Sequence, residues 1–275
     1  MIKLTVIGNN GPYPAAGGAC SGYLLQSDMV KVVMDLGSGA LANLFQVIDD
    51  PEEIDAIVLS HLHADHMSDL FVLKYALEAT RRNTHTDKNG VALRTKLYSP
   101  DGPEAEFNMI QSLGQFDLRP ICEESEFSVG DLNFTVARMI HGYPTFAISV
   151  TDGEHRLVFT GDTVWNQDII HFAENADLLL MDAAFRESDK LGGTTLTHLT
   201  AWECGIIAAQ ANVTRVLLTH FLPGCDTVSH IREAEKGMRK VFAGNNLDHV
   251  AVPQKDRIHQ EISVMAAQIL ETYTV

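Results

Sequence analysis

The chain has 275 residues, 45% of them hydrophobic and 20% charged, with a mean hydropathy of zero. That balance excludes disordered, collagen-like and coiled-coil classes, and the length is enough to bury a substantial core. Twenty Lys and Arg against 36 Asp and Glu leave a formal charge of −16. Such a field repels long polyanions unless a local basic patch opposes it, and the basic residues form no cluster beyond pairs such as Arg81-Arg82. Long nucleic acid is therefore not expected as a partner, whereas a small anion held by metal ions is compatible with the charge.

The opening, Met1-Ile2-Lys3-Leu4-Thr5-Val6-Ile7-Gly8, reads as a strand entering a turn. It lacks the apolar stretch and small-residue cleavage site of a signal peptide, so the cytoplasm is the expected compartment. No apolar run approaches the length of a membrane span. Further β-rich runs follow at 23–25, 30–34, 56–59, 96–98, 133–137, 146–150, 156–159, 178–181, 216–218 and 249–252. Thr151-Asp152-Gly153-Glu154 between two of them predicts a hairpin. Helical periodicity fits 40–48, 68–82, 103–113, 200–211, 229–242 and 258–272. Thr200 with Glu203 has the capping-box spacing, and Asp101-Gly102-Pro103 reads as a helix entry. The order of strands and helices suits one α/β domain over 1–275, two sheets with helices outside. The four cysteines, Cys20, Cys122, Cys204 and Cys225, show no zinc or redox spacing and are expected to be reduced and buried.

The sharpest signal is Ser60-His61-Leu62-His63-Ala64-Asp65-His66, directly after an apolar strand and before a helix. Four potential ligands in six residues at a strand-to-helix turn converge from one short loop, and imidazole with carboxylate suits zinc, with manganese or iron as alternatives. His141, Asp162 and His220 each stand just past another apolar strand, where a rigid scaffold aims side chains at one point. The remaining histidines, His85, His155, His171, His230, His249 and His259, have no ligand pattern and are expected at the surface. Tyr13, Tyr143, Trp165, Phe185 and Phe221 lie close to the motifs in sequence and are candidates to wall a pocket for an aromatic or base-like group.

The His-x-His-x-Asp-His segment, followed in order by His141, Gly161-Asp162-Thr163 and His220, resembles the metallo-β-lactamase-fold hydrolases. The resemblance implies a four-layer αββα sandwich with the site at one edge. It also implies one metal held by His61, His63 and His141, a second held by Asp65, His66 and His220, and Asp162 bridging them. Within that superfamily the chain is most similar to the ribonuclease Z branch. The similarity rests on Ile7-Gly8-Asn9-Asn10-Gly11-Pro12, Ser21-Gly22-Tyr23-Leu24-Leu25 and Asp35-Leu36-Gly37-Ser38-Gly39. Met181-Asp182-Ala183-Ala184-Phe185 resembles that branch's His-Glu-Ala-Thr segment, and Thr197-His198-Leu199-Thr200 its His-Ser-Thr segment. His198 is thereby the proton-transfer candidate and Asp182 its partner, and both join Asp65 in the expected catalytic set. The tRNA-gripping arm of ribonuclease Z enzymes falls between the equivalents of His141 and Asp162, which here are only 21 positions apart. A compact relative is implied, possessing two divalent ions, a small or short phosphodiester substrate and the option of a homodimer. A paired-metal site lowers the pKa of water toward neutrality, so hydroxide attack on phosphorus or carbon is the expected chemistry. Ribonuclease Z-type tRNA 3′-end cleavage and lactone or thioester hydrolysis remain the alternatives, together with a metal-stabilised binding module.

Overall fold

Leu178, Leu179, Leu180 and Met181 are all buried, and alternate side chains along that strand enter different cores. Leu178 and Leu180 pack with Leu4, Tyr23, Val32, Phe134, Ile148 and Phe159, whereas Leu179 and Met181 pack with Ile207, Ala208, Met238 and Val241. A strand whose two faces are both apolar is covered on both sides, because successive side chains point to opposite faces. The structure, a computed structural model, describes residues 1–80, 94–190, 196–243 and 262–275.

Fourteen strands in the described residues form two seven-stranded sheets. The first has the order β14-β1-β2-β3-β4-β5-β6, built from β1 (Lys3–Gly8), β2 (Gly22–Gln26), β3 (Lys31–Leu36), β4 (Ala56–Val58), β5 (Thr95–Pro100), β6 (Phe116–Ile121) and β14 (Thr272–Thr274). The second has the order β13-β12-β11-β10-β9-β8-β7, built from β7 (Glu126–Val129), β8 (Leu132–Met139), β9 (Thr145–Thr151), β10 (Arg156–Phe159), β11 (Leu178–Asp182), β12 (Arg215–Thr219) and β13 (Ser263–Ala266). One core lies between the sheets. A second packs the outer face of the second sheet against α5 (Asp168–Phe172), α6 (Ala201–Gln210) and α7 (Thr227–Phe242). A third packs the first sheet against α1 (Ala40–Leu44), α2 (Ala64–Met67), α3 (Leu70–Thr80) and α4 (Glu104–Gln111). Three interfaces make four layers, the expected αββα sandwich.

The expected hairpin joins β9 to β10, which pair antiparallel from Thr151↔Arg156 to Ile148↔Phe159. Thr200 and Glu203 complete the expected capping box on α6, and α4 starts directly after Pro103. The helix expected over 258–272 is corrected: its described part holds β13, a turn and the first residue of β14, and 258–261 lie outside the described residues. Val264 and Met265 pair in parallel with Val216 and Leu217 at a sheet margin, a use that local apolar spacing does not separate from a helix face. The runs at 116–121 and 126–129 are strands that the reading missed, since their polar residues face out at the sheet margin. The run expected at 249–252 lies outside the described residues.

Strand direction places the site. β10, β11 and β12 are mutually parallel, and β8 runs the same way because β9 is antiparallel to both β8 and β10. Their carboxyl ends therefore share one edge, the usual position for a site in an open α/β sheet. Among the described residues no helix is long and apolar enough to cross a membrane.

Candidate metal centre

His141 follows β8, Asp162 follows β10, Asp182 ends β11 and His220 follows β12. The segment after β4 faces them from the other sheet: Phe146 N donates to Ser60 O at 3.0 Å, tying the two sheets at this edge. His61 Nε2 lies 3.0 Å from His63 Nδ1, and His141 Nε2 lies 3.1 Å from the same nitrogen. Asp162 Oδ2 lies 3.6 Å from His61 Nε2 and 3.8 Å from His141 Nε2. On the other side of Asp162, its Oδ1 is 3.3 Å from His66 Nε2 and its Oδ2 is 3.3 Å from His220 Nε2. Asp65 Oδ2 closes that group, 3.2 Å from His220 Nε2 and 3.5 Å from His66 Nε2.

Two four-donor groups thus share Asp162, each with its ligand atoms within 4.8 Å of one another. The spacings match the chemistry of a small cation, since ligands about 2.0–2.1 Å from a tetrahedral centre stand roughly 3.3 Å apart. The outer nitrogens are anchored, which aims the inner ones. His66 Nδ1 donates to Asp35 Oδ2 at 2.8 Å, His61 Nδ1 meets Ser60 Oγ at 3.1 Å, and His141 Nδ1 meets Thr197 O at 3.3 Å. That pattern leaves the inner Nε2 lone pairs facing one another, an arrangement a cation resolves. Nε2 of His66 is buried with no hydrogen-bond partner, an orphan that a metal ion satisfies. The donor set fits two divalent cations.

Electrostatics divide the histidines: burial works against charge on His66 and His220, yet the adjacent Asp162 carboxylate raises both. Burial pushes His61, His63 and His141 below the usual histidine range, toward the neutral form that ligates. Burial also works against charge on Asp162, yet the surrounding His220, His66 and His61 hold its carboxyl well below the usual range. Burial alone would raise Asp65 as well, but the hydrogen bond with His220 and the nearby His66 ring hold it below the usual carboxylate range.

A third group lies beside the second. His198 Nδ1 donates to Asp182 Oδ2 at 2.8 Å and lies 3.7 Å from Asp162 Oδ2. Asp182 Oδ1 stands 3.6 Å from His220 Nδ1, so one carboxylate backs two rings. Thr163 N at 3.2 Å and Ala184 N at 3.2 Å donate to the same carboxylate and fix its plane. Burial pulls the His198 imidazole down, but the Asp182 charge and hydrogen bond outweigh it and carry the group up to about 9.

Backbone geometry supports these contacts at two costly positions. His220 and Asp35 adopt left-handed φ of 57° and 52°, uncommon for residues with a side chain and typical of over-determined functional sites. Gly11 cradles His220, because a Cβ there would stand 2.0 Å from His220 Nε2. The glycine-bearing loop thereby reaches the site, with Pro12 beside the cavity.

The sequence reading missed Asp35 as a site residue. Its carboxylate accepts from Ser60 N at 2.7 Å, Ser60 Oγ at 2.8 Å and His66, and so orders the whole histidine loop. An acidic residue ending a buried strand was the available signal. His230 is corrected from surface to buried, its Nδ1 bonded to Asp226 O at 3.0 Å, because its position on α7 faces Phe221. Exposed Cys122 departs from the expected burial, whereas Cys20 and Cys204 are buried and all four thiols are free. His85, His249 and His259 lie outside the described residues. Among the aromatic candidates, Tyr143 packs on His63 with the rings tilted by 35° and centroids 4.0 Å apart, and donates to Glu106 Oε1 at 3.0 Å. Phe185 is 5.8 Å from His198, Phe221 is buried in the outer core, and Tyr13 is exposed.

Residues 31–221 match the profile of the beta-lactamase superfamily domain. The probable metallo-hydrolase YhfI of Bacillus subtilis is 32% identical over 238 residues, covering 86% of this chain and 93% of that protein. The crystal structure of the metallo-beta-lactamase fold protein YhfI superposes with a TM-score of 0.81 at 28% identity, over 99% of this chain and 98% of the other. A ribonuclease Z of Archaeoglobus fulgidus is 24% identical over 80% of this chain and 87% of its own length. The fold extends to the short form of human tRNase Z, with a TM-score of 0.69 at 18% identity over 99% and 98% of the chains. A domain match over most of the chain, shared sequence with a probable metallo-hydrolase and a histidine–aspartate edge lead to one assignment: the protein belongs to the beta-lactamase superfamily, among its metallo-hydrolases.

Proposed function

We propose that residues 1–275 form one dinuclear metal-dependent phosphodiesterase domain acting on small or short phosphodiesters. The observation that carries this reading is the His198–Asp182 pair, 2.8 Å apart and set against the shared Asp162. His61, His63 and His141 would hold one ion, Asp65, His66 and His220 would hold the other, and Asp162 would serve both. When bound, two divalent ions, zinc by donor type, supply Lewis acidity and neutralise the negative oxygens of a diester.

The chain's own residues do the rest. Asp182 takes His198 Nδ1–H, which leaves Nε2 of the ring to give a proton to the departing oxygen, a role worth about 10²–10⁴ in rate. An alkoxide released from phosphorus is a poor leaving group without that proton. Asp65 stays ionised at the cavity wall and pairs with His220. The cavity is about 300 Å³ and is lined by Pro12, Gly142 and Thr197 besides the site residues, so it admits a small group rather than a duplex. Only the hairpin of β9 and β10 lies between His141 and Asp162, without a protruding arm. The sequence similarity to a ribonuclease Z adds support for phosphorus over carbon as the reacting centre.

The test is metal content with turnover of bis(p-nitrophenyl) phosphate and a lactone by the purified chain. About two ions per chain with diester turnover is the expected result. Lactone turnover alone would overturn the phosphodiesterase reading.

A further inference from the structure

A second cavity of about 360 Å³ adjoins the metal cavity, lined by Val164, Trp165, Lys190, Leu196, His198 and Glu203. His198 is the one residue that lines both among the described residues. A group whose phosphorus sits at the metal ligands and whose departing oxygen meets His198 therefore extends into this cleft.

The cleft is built for a flat ring with polar edges. Trp165 is half-buried, one side packed on the outer core of the second sheet. Its backbone is pinned on both sides. Val164 N donates to Ile140 O at 3.1 Å, while buried Asn166 donates to Thr163 Oγ1 at 3.1 Å and accepts from Ile169 N at 3.1 Å. An indole held this way offers a stacking face at little entropic cost. Lining the same cleft, Lys190 Nζ donates to Glu203 Oε1 at 2.8 Å and to Glu187 Oε2 at 2.9 Å. An ammonium has three donors, so one is left for an acceptor on a ring edge. Glu203 is itself fixed, since Thr200 N donates to its Oε2 at 2.9 Å.

We infer that this cleft is a base subsite, and that the alcohol released at His198 is a nucleoside whose heterocycle stacks on Trp165. This rests on the phosphodiesterase reading above and names its substrate class. The step balances as hydrolysis: water's oxygen bonds to phosphorus, the phosphorus–oxygen bond to the nucleoside breaks, His198 protonates the leaving oxygen, and the proton lost by water restores His198.

A nucleoside 3′,5′-cyclic phosphate makes a clean probe, because its leaving oxygen and its base share one ribose. Adenosine 3′,5′-cyclic phosphate is compared with the same cyclic ribose phosphate lacking a base, on the metal-loaded wild type, Trp165→Ala and Trp165→Phe. The expected wild-type preference for the base-bearing diester is about tenfold or more in kcat/KM, in line with base stacking on an aromatic side chain. Trp165→Ala collapses that ratio toward one, chiefly through KM, and Trp165→Phe restores most of it. A second readout does not depend on turnover. With Trp202→Phe leaving Trp165 as the sole tryptophan, adenosine monophosphate quenches its fluorescence saturably.

Equal turnover of both diesters by wild type, or an unchanged ratio in Trp165→Ala, overturns the base subsite and leaves the phosphodiesterase reading intact. No turnover of either diester, with both ions bound, overturns that reading and the subsite with it.

Discussion

Asp182 Oδ2 accepts from His198 and Thr163 N, while Oδ1 accepts from Ala184 N and stands behind His220, so one charge serves the proposed proton donor and a proposed ligand together. The leaving group decides how much that pair matters. His198→Ala should lower hydrolysis of an alkyl phosphodiester by about 10²–10⁴, but p-nitrophenyl diesters, whose phenolate leaves unprotonated, should lose far less. Steady-state rates on the two substrates check this, and equal losses would remove the donor role. The donor must be protonated to act, so activity on an alkyl diester should fall on the alkaline side as His198 loses its proton. Asp182→Asn removes the charge that lifts His198 and should move that limb to lower pH. Asp35 acts one bond further out. Asp35→Ala strips the partner from His66 Nδ1 and should weaken metal binding by about 10–100-fold, read by chelator competition.

At the scale of elements, the site depends on the carboxyl ends of strands that share one direction and on the loops between them. The loop after β1 matters through Gly11, whose missing Cβ leaves room for the His220 ring. Gly11→Ala should displace His220 and lower occupancy of the second ion while leaving the strands formed. Metal analysis beside far-UV circular dichroism reads both. α6 carries Glu203 into the side cleft through its capping box, so Thr200→Ala removes an N-cap and should cost about 1 kcal/mol of stability in denaturant unfolding.

For the whole molecule, the two sheets meet at an edge where buried histidines and carboxylates crowd together. Cations bound there favour the folded state by mass action, by about 2.7 kcal/mol at a hundredfold excess over Kd. Chelation should therefore lower Tm, and zinc restored in excess should return it. A Tm indifferent to chelator would mean that no ion binds the folded state tightly. The charge of −16 sets a further expectation, that precursor tRNA competes poorly with a short diester at physiological salt.

The histidine–aspartate cluster was legible because His61, His63, Asp65 and His66 crowd one turn, and because His141, Asp162 and His220 each follow a run of buried apolar residues. Local patterning likewise exposed the β9–β10 hairpin and the cap of α6, since turn and capping chemistry are short-range. Asp35 was not legible as a site residue, because its partners Ser60 and His66 lie 25 and 31 residues away. The margin strands β13 and β14 were misread for the same reason: their side chains pair with β12 and β1, and an apolar run alone does not reveal its neighbour. The side cleft belongs to this second class as well. Trp165, Lys190 and Glu203 are scattered along the chain, and only the packing of α6 and the loop after β10 against the second sheet brings them to one cleft beside His198. Residue chemistry within a few positions was therefore set by sequence, while every contact between distant segments waited on the tertiary fold.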